Sequence, residues 1–254
     1  MTNDNEQLAY RVLRAVLRPT LSVLTERDWR GQENIPSTGG CVIAVNHISH
    51  FDPLTIAHFV DDAGRAPRFM GKSEVFDIPI LGRVVSAAGQ IPVYRETVDA
   101  AKALRAAVDA VVAGECVVVY PEATLTRDLA LWPMMGKTGA ARIAAMTGCP
   151  VIPVAQWGAH RVLGPYQRFP RLIPRKLIQV WADRPVDLSR FAGQQLTVDI
   201  LLSSTSAIMS AIVEVLERIR DERAPAELFD PKAHDDVPRI GNPGRPARRV
   251  QRGC

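Results

Sequence analysis

Three short, unbroken apolar runs constrain this chain more than any other feature. Cys41-Val42-Ile43-Ala44-Val45, Cys116-Val117-Val118-Val119-Tyr120 and Val151-Ile152-Pro153-Val154-Ala155 hold no charge, and turn residues or charges bound them. Such a run, apolar at every position rather than at alternate ones, marks a strand covered on both faces. Ile91-Pro92-Val93-Tyr94 and Leu177 to Val180 are further strand candidates. Helical patterns fall between the runs: residues 53–60, the alanine-rich stretch 100–112 with Gly114 at its stop, and 138–147. Helices alternating with buried strands predict an α/β fold, a single domain with a largely parallel or mixed central sheet flanked by helices. Ligands bind such sheets at the strands' carboxyl ends. The polar residues that follow the runs, Asn46-His47 and Pro121-Glu122 among them, should therefore cluster.

The flanks divide the chain into three parts. Residues 1–28 form an N-terminal amphipathic helical segment in which Leu8, Val12, Leu13, Val16, Leu17, Leu21 and Leu24 recur at three- and four-residue steps. Arg11, Arg14 and Arg18 share another face, and Pro19 is expected to kink or divide the helix. An apolar stripe beside arginines suits a membrane interface with anionic headgroups; packing on the domain with solvated arginines explains the same pattern. Residues 29–222 are the α/β domain, closed by an amphipathic helix over 197–220 that caps the sheet. Residues 223–254 are rich in Pro, Gly and charge and predict a weakly ordered basic tail.

The 254 residues suffice for one sizeable core, and the net charge of +4 does not indicate a bulk nucleic-acid binder. Cys41, Cys116, Cys149 and Cys254 stand far apart without a CxxC pair, which fits free thiols in a reducing cytosol. No stretch reaches about 18 uninterrupted apolar residues, so no transmembrane helix is expected. The polar, acidic start lacks the apolar core of a secretory signal. The expected location is cytoplasmic, peripheral on the cytoplasmic face of the cell membrane.

The chemistry concentrates in Asn46-His47-Ile48-Ser49-His50-Phe51-Asp52. A histidine at a strand end with a carboxylate five positions on can fold so that Asp52 accepts one ring N–H of His47. The other ring nitrogen is then left to take a proton from an alcohol near neutral pH. A structural His–Asp pair gives the same spacing. So does a metal site built on His47, His50 and Asp52, although no second His or Cys cluster stands downstream beyond the lone His160.

Four blocks in order give these residues a family resemblance. Asn46-His47-x-Ser49-x-x-Asp52 resembles the first block of the glycerolipid acyltransferases, a family that includes the 1-acyl-sn-glycerol-3-phosphate acyltransferases. Gly89-Gln90-Ile91-Pro92-Val93-Tyr94-Arg95 is similar to the second block, Val118 to Thr124 to the third, and Val151-Ile152-Pro153-Val154 to the fourth. Gly71-Lys72-x-Glu74 and Gly136-Lys137-x-Gly139 also look familial. The third block departs from pattern: Ala123 stands for the usual glycine and Leu125 for the usual arginine, with Arg127 two positions on.

The resemblance implies transfer of a fatty acyl group from acyl-CoA or acyl carrier protein to the free hydroxyl of 1-acylglycerol-3-phosphate, giving phosphatidate in phospholipid biosynthesis. His47 and Asp52 are then catalytic. Arg95 is the phosphate anchor, since a planar guanidinium binds phosphate bidentately; its alternative is a salt bridge with Glu96. The family implicates Glu122 in holding the acceptor, where N-terminal capping is the structural alternative, and Thr124 either binds substrate or caps. Lys72, Arg127 and Lys137 are further anchors or solvated charges. No cofactor and no metal are expected. The partners implied are the acyl donor, lysophosphatidate or glycerol-3-phosphate, and an anionic membrane surface. Glycerol-3-phosphate or another phospholipid or glycolipid alcohol is the nearest alternative acceptor. A metal-dependent hydrolase and a non-catalytic lipid-binding protein are the alternatives of other classes.

Overall fold

The computed structural model describes residues 4–72, 89–93, 99–167, 169–191 and 193–231 with positions 77, 79, 82, 86 and 233, leaving aside the side chains of residues 4–9, 72, 93, 99 and 100. Its strands are β1 (Thr25–Arg30), β2 (Cys41–Val45), β3 (Pro67–Lys72), β4 (Ile91–Val93), β5 (Cys116–Val119), β6 (Val151–Trp157) and β7 (Lys176–Ala182). The main helices are α1 (Asp4–Leu24), α2 (Asp52–Asp62), α3 (Asp99–Val112), α4 (Gly139–Thr147) and α5 (Val198–Arg220).

The three apolar runs lie side by side at the centre of a mixed seven-stranded sheet, in the order β1-β7-β6-β2-β5-β3-β4. β2 pairs in parallel with β5 and with β6, so Ile43 lies between Val118 and Ile152. Among the described residues only the β6–β7 pair is antiparallel. Successive side chains along β2 enter opposite layers. Val42 and Ala44 join Ala107 and Val111 of α3, Ile143 of α4 and Ile212 of α5. Ile43 and Val45 join Leu21 of α1 and Ile56 and Phe59 of α2. Both faces are thus dry, and the runs had to be apolar throughout.

Two strands carry no such run and were not expected. β1 reads Thr-Glu-Arg-Asp-Trp-Arg and sits at the sheet's edge, where its charges face solvent and discourage further pairing. β3 contains Pro67 and Gly71, and its pairing with β5 and β4 makes it a strand.

The N-terminal helix is continuous through Pro19. Its arginine face turns toward α2: Arg14 Nε lies 2.8 Å from Asp61 and Arg18 Nη2 2.7 Å from Asp62. Leu21 is buried on the domain, while Val12, Val16 and Val23 are exposed on the side turned away. α5 is long and apolar enough to cross a membrane by length and composition, which the absence of an uninterrupted apolar run had concealed. Its apolar face, with Leu201, Ile208, Ile212 and Leu216, packs into the core. Residues 224–229 lie along the domain, with Ala224 N donating to Glu217 and Met135 N to the Phe229 carbonyl; the rest of the expected tail, beyond residue 233, lies outside the described residues.

Candidate active site

β2, β5 and β6 are parallel, so the loops after Val45, Val119 and Trp157 leave the same edge of the sheet. A reciprocal amide clamp fixes the first of them. Asn46 Nδ2 donates to the Gln156 carbonyl at 3.1 Å, Gln156 N donates to Asn46 Oδ1 at 2.8 Å, and Gln156 Nε2 donates to the Asn46 carbonyl at 3.0 Å. Thr55 Oγ1 donates to Gln156 Oε1 at 2.8 Å. These residues are buried with their polar groups paired, so they hold position firmly.

His47 follows directly. Its Nδ1 lies 2.9 Å from Asp52 Oδ2, which also accepts the N–H groups of Ile48 at 2.6 Å and Ser49 at 2.8 Å. A carboxylate only accepts, so Nδ1 carries the ring proton and Nε2 presents its lone pair. Nε2 has no hydrogen-bond partner among the described residues, and the His47 side chain is 16% exposed. Asp52 is fully buried in the first turn of α2, where the helix dipole favours negative charge. Burial raises its carboxyl above the ordinary range, opposed by the His47 ring and the Ser49 and Ile48 amides. Ser49 closes the loop: its Oγ accepts Phe51 N at 2.9 Å and donates to the Leu163 carbonyl at 2.6 Å.

The loop after β5 supplies the other wall. Tyr120 stacks on the His47 ring, with centroids 4.1 Å apart and planes 25° apart. Its hydroxyl is buried without a partner among the described residues, and burial followed by the Asp52 charge pushes its pKa up. Glu122 is buried too, its Oε1 accepting His47 N at 2.8 Å and its Oε2 accepting Met134 N at 3.0 Å. Burial raises its pKa from 4.5 to about 8; the Met134 and His47 amides act against this, and Asp52 adds to it.

Ala123, where the resemblance expects glycine, adopts φ 58°, and its N–H closes a turn on the Tyr120 carbonyl at 2.9 Å. Thr126 N donates to the His47 carbonyl at 2.8 Å. The amides of Glu122, Thr124 and Leu125 have no acceptor among the described residues. They are the donors nearest in sequence to this turn and can serve a developing oxyanion.

The remaining expected residues divide. Thr124 is half-buried on the same loop. Arg127 is buried, its Nη1 3.4 Å from the Tyr166 hydroxyl. Lys137 is exposed and contributes through its backbone, donating N–H to the Pro121 carbonyl at 2.8 Å. Lys72 ends β3 on the same edge as His47, paired with Val93. Arg95 lies outside the described residues, two positions beyond the end of β4. His50 is exposed, and no group of three potential metal ligands occurs among the described residues. Gln156 and the Tyr120 stack were not anticipated. Gln156 interrupts the polar-free start of β6 and was the one available signal.

The chain is similar to known proteins in sequence and in fold. The sequence model of the acyltransferase family matches residues 26–157. A chloroplastic 1-acyl-sn-glycerol-3-phosphate acyltransferase from Brassica napus is 33% identical over 138 residues, which are 54% of this chain and 38% of that protein. A Bacillus subtilis protein of the same description is 28% identical over 153 residues, 59% of this chain and 71% of that one. The chain therefore spans well under half the length of the plant relative. The crystal structure of the 1-acyl-sn-glycerophosphate acyltransferase from Thermotoga maritima superposes with a TM-score of 0.66 at 22% identity, covering 89% of this chain and 86% of that one, and shares the fold. With the family match spanning all four blocks and the His47–Asp52 pair assembled at the carboxyl edge, the chain belongs to the acyltransferase family.

Proposed function

We propose that this protein transfers a fatty acyl group from a thioester, acyl-CoA or acyl carrier protein, to the free hydroxyl of 1-acylglycerol-3-phosphate, forming phosphatidate. One observation carries the reading: His47 Nδ1 is held by Asp52 while Nε2 is left to act as a base. Nε2 takes the hydroxyl proton as the oxygen attacks the thioester carbonyl. The amides of Glu122, Thr124 and Leu125 stabilise the tetrahedral oxyanion. Collapse expels the thiolate, and the imidazolium returns the proton to it. Asp52 orients the ring and stabilises its charge. Arg95 holds the acceptor phosphate, with Lys72, Thr124 and Arg127 as further contacts. Glu122 holds the acceptor's surroundings by tying His47 to the loop through Met134.

A second acceptor is favoured by one observation. Leu125 is buried at 5% exposure where the resemblance expects an arginine, so that position supplies no cation. Another phospholipid or glycolipid alcohol, with a less charged phosphate or none, is the corresponding reading; glycerol-3-phosphate carries the same phosphate and stands as an alternative on the family resemblance alone. The exposed Val12, Val16 and Val23 of α1 support a peripheral enzyme lying on the cytoplasmic face of a membrane, the source of acceptor and sink of product.

Thiol release from palmitoyl- and oleoyl-CoA, measured against a panel of glycerol phosphates, tests both readings. Release should depend on lysophosphatidate and vanish in His47→Ala. Near-wild-type turnover of that variant defeats the mechanism, and a preference for another alcohol replaces the acceptor.

A further inference from the structure

The segment joining β6 to β7, residues 158–175, crosses the same edge of the sheet as His47. β6 is parallel to β2 and β7 antiparallel to β6, so the segment leaves and re-enters the sheet at the catalytic strands' carboxyl ends. β1 is parallel to β7, which brings the end of α1 to that edge as well. Arg175 Nη2 joins the two, donating to the carbonyls of Ser22 at 3.1 Å and Thr25 at 2.7 Å. The segment's other end meets the site, where Leu163 accepts the Ser49 hydroxyl and Tyr166 the Arg127 guanidinium.

Its composition is poorly suited to water. Phe169 is 81% exposed and Ile173 is 90% exposed. From Gly158 to Ala182 the sequence carries Arg161, Arg168, Arg171, Arg175 and Lys176 with neither Asp nor Glu. Large apolar side chains held out beside cations, with no anion among them, complement an anionic bilayer surface. An acidic protein partner would satisfy the cations and give no reason for the bare phenyl and sec-butyl groups. Continuity with the exposed valines of α1 points the same way.

We propose that residues 158–175 form a second membrane-docking element that seats Phe169 and Ile173 among the headgroups of an anionic bilayer, beside the mouth of the site. The proposal rests on reading the chain as an enzyme of membrane lipids, and it adds a contact to the one made by α1. With this segment and the end of α1 on the catalytic edge, His47 faces the bilayer that holds the acceptor.

The test uses the full chain with Cys149→Ser and Cys254→Ser, since Cys41 and Cys116 are fully buried. An environment-sensitive fluorophore is attached at Ile173→Cys, at Val16→Cys, or at Val112→Cys, which is exposed at the end of α3 leading to the amino edge. Phosphatidylglycerol–phosphatidylcholine vesicles should shift the label at 173 to the blue, and the label at 112 should not respond. Phe169→Ser with Ile173→Ser should lower vesicle partition about tenfold at an unchanged melting temperature. A shift at 16 without one at 173 overturns the proposal and leaves the α1 reading standing. A response at 173 to acyl carrier protein but not to vesicles overturns it in favour of a protein partner. Failure of the acyl-transfer reading registers separately, as absent thiol release with the 173 shift intact.

Discussion

The Glu122 carboxyl group accepts the main-chain N–H of His47 at 2.8 Å, so the third block reaches the candidate base through its backbone. Its second oxygen takes Met134 N, which makes the side chain a strut between two loops. Glu122→Gln replaces one oxygen of the neutral carboxyl by an NH2 group that faces a main-chain N–H and cannot accept it. It should cost about 1–3 kcal/mol of stability in chemical denaturation. The pH dependence has a definite sign. The folded pKa is raised from 4.5 to about 8, so the group's contribution is full below pH 4.5 and lost as pH rises through 8. Wild type should therefore lose stability relative to Glu122→Gln, which does not titrate, from pH 5 to pH 8.5. A wild type that gains stability relative to the variant over that range contradicts the assignment.

Asp52→Asn keeps the shape of the His47 partner and removes its charge. An amide oxygen can still accept the Ile48 and Ser49 N–H groups, so the loop should hold. The imidazolium formed during transfer loses its counter-charge, and kcat should fall by about 10²–10⁴-fold with little change in melting temperature. Turnover within threefold of wild type shows that Asp52 is a loop residue alone.

How much of this was legible in the sequence depends on which force sets each element. The core strands were readable because burial on both faces leaves a continuous apolar run, as in Cys41–Val45. β1 and β3 were not, because their partners hold them and their own side chains carry no pattern. His47 and Asp52 were readable as a local motif. Gln156 was not: its partner Asn46 is 110 residues away, and only the parallel register of β2 and β6 brings the two amides together. The arginines of α1 were visible as a face, but the acidic pair Asp61 and Asp62 that receives them belongs to another helix.

Ala123 tests what the altered third block costs. A Cβ at φ 58° is strained by about 1–2 kcal/mol, whereas glycine takes that conformation freely. Part of the gain is returned through the more flexible unfolded chain. Ala123→Gly should therefore raise stability by about 0.5–1 kcal/mol, read as a higher melting temperature, with kcat within twofold. A destabilised variant would mean that the Ala123 methyl packs where the turn alone predicts relief.

Tyr120 separates the work of a ring from that of its hydroxyl. The ring stacks on His47 at 4.1 Å, and the hydroxyl is buried with no partner among the described residues. An unsatisfied buried hydroxyl costs about 1–3 kcal/mol, so Tyr120→Phe should stabilise the fold by about 1 kcal/mol and leave kcat near wild type. Tyr120→Leu removes the flat surface that holds the imidazole plane. It should lower kcat about tenfold with KM nearly unchanged, because misorientation weakens the chemical step more than binding. If Tyr120→Phe instead loses more than tenfold in kcat, the phenol takes part in the reaction, and the unpaired hydroxyl is a substrate contact.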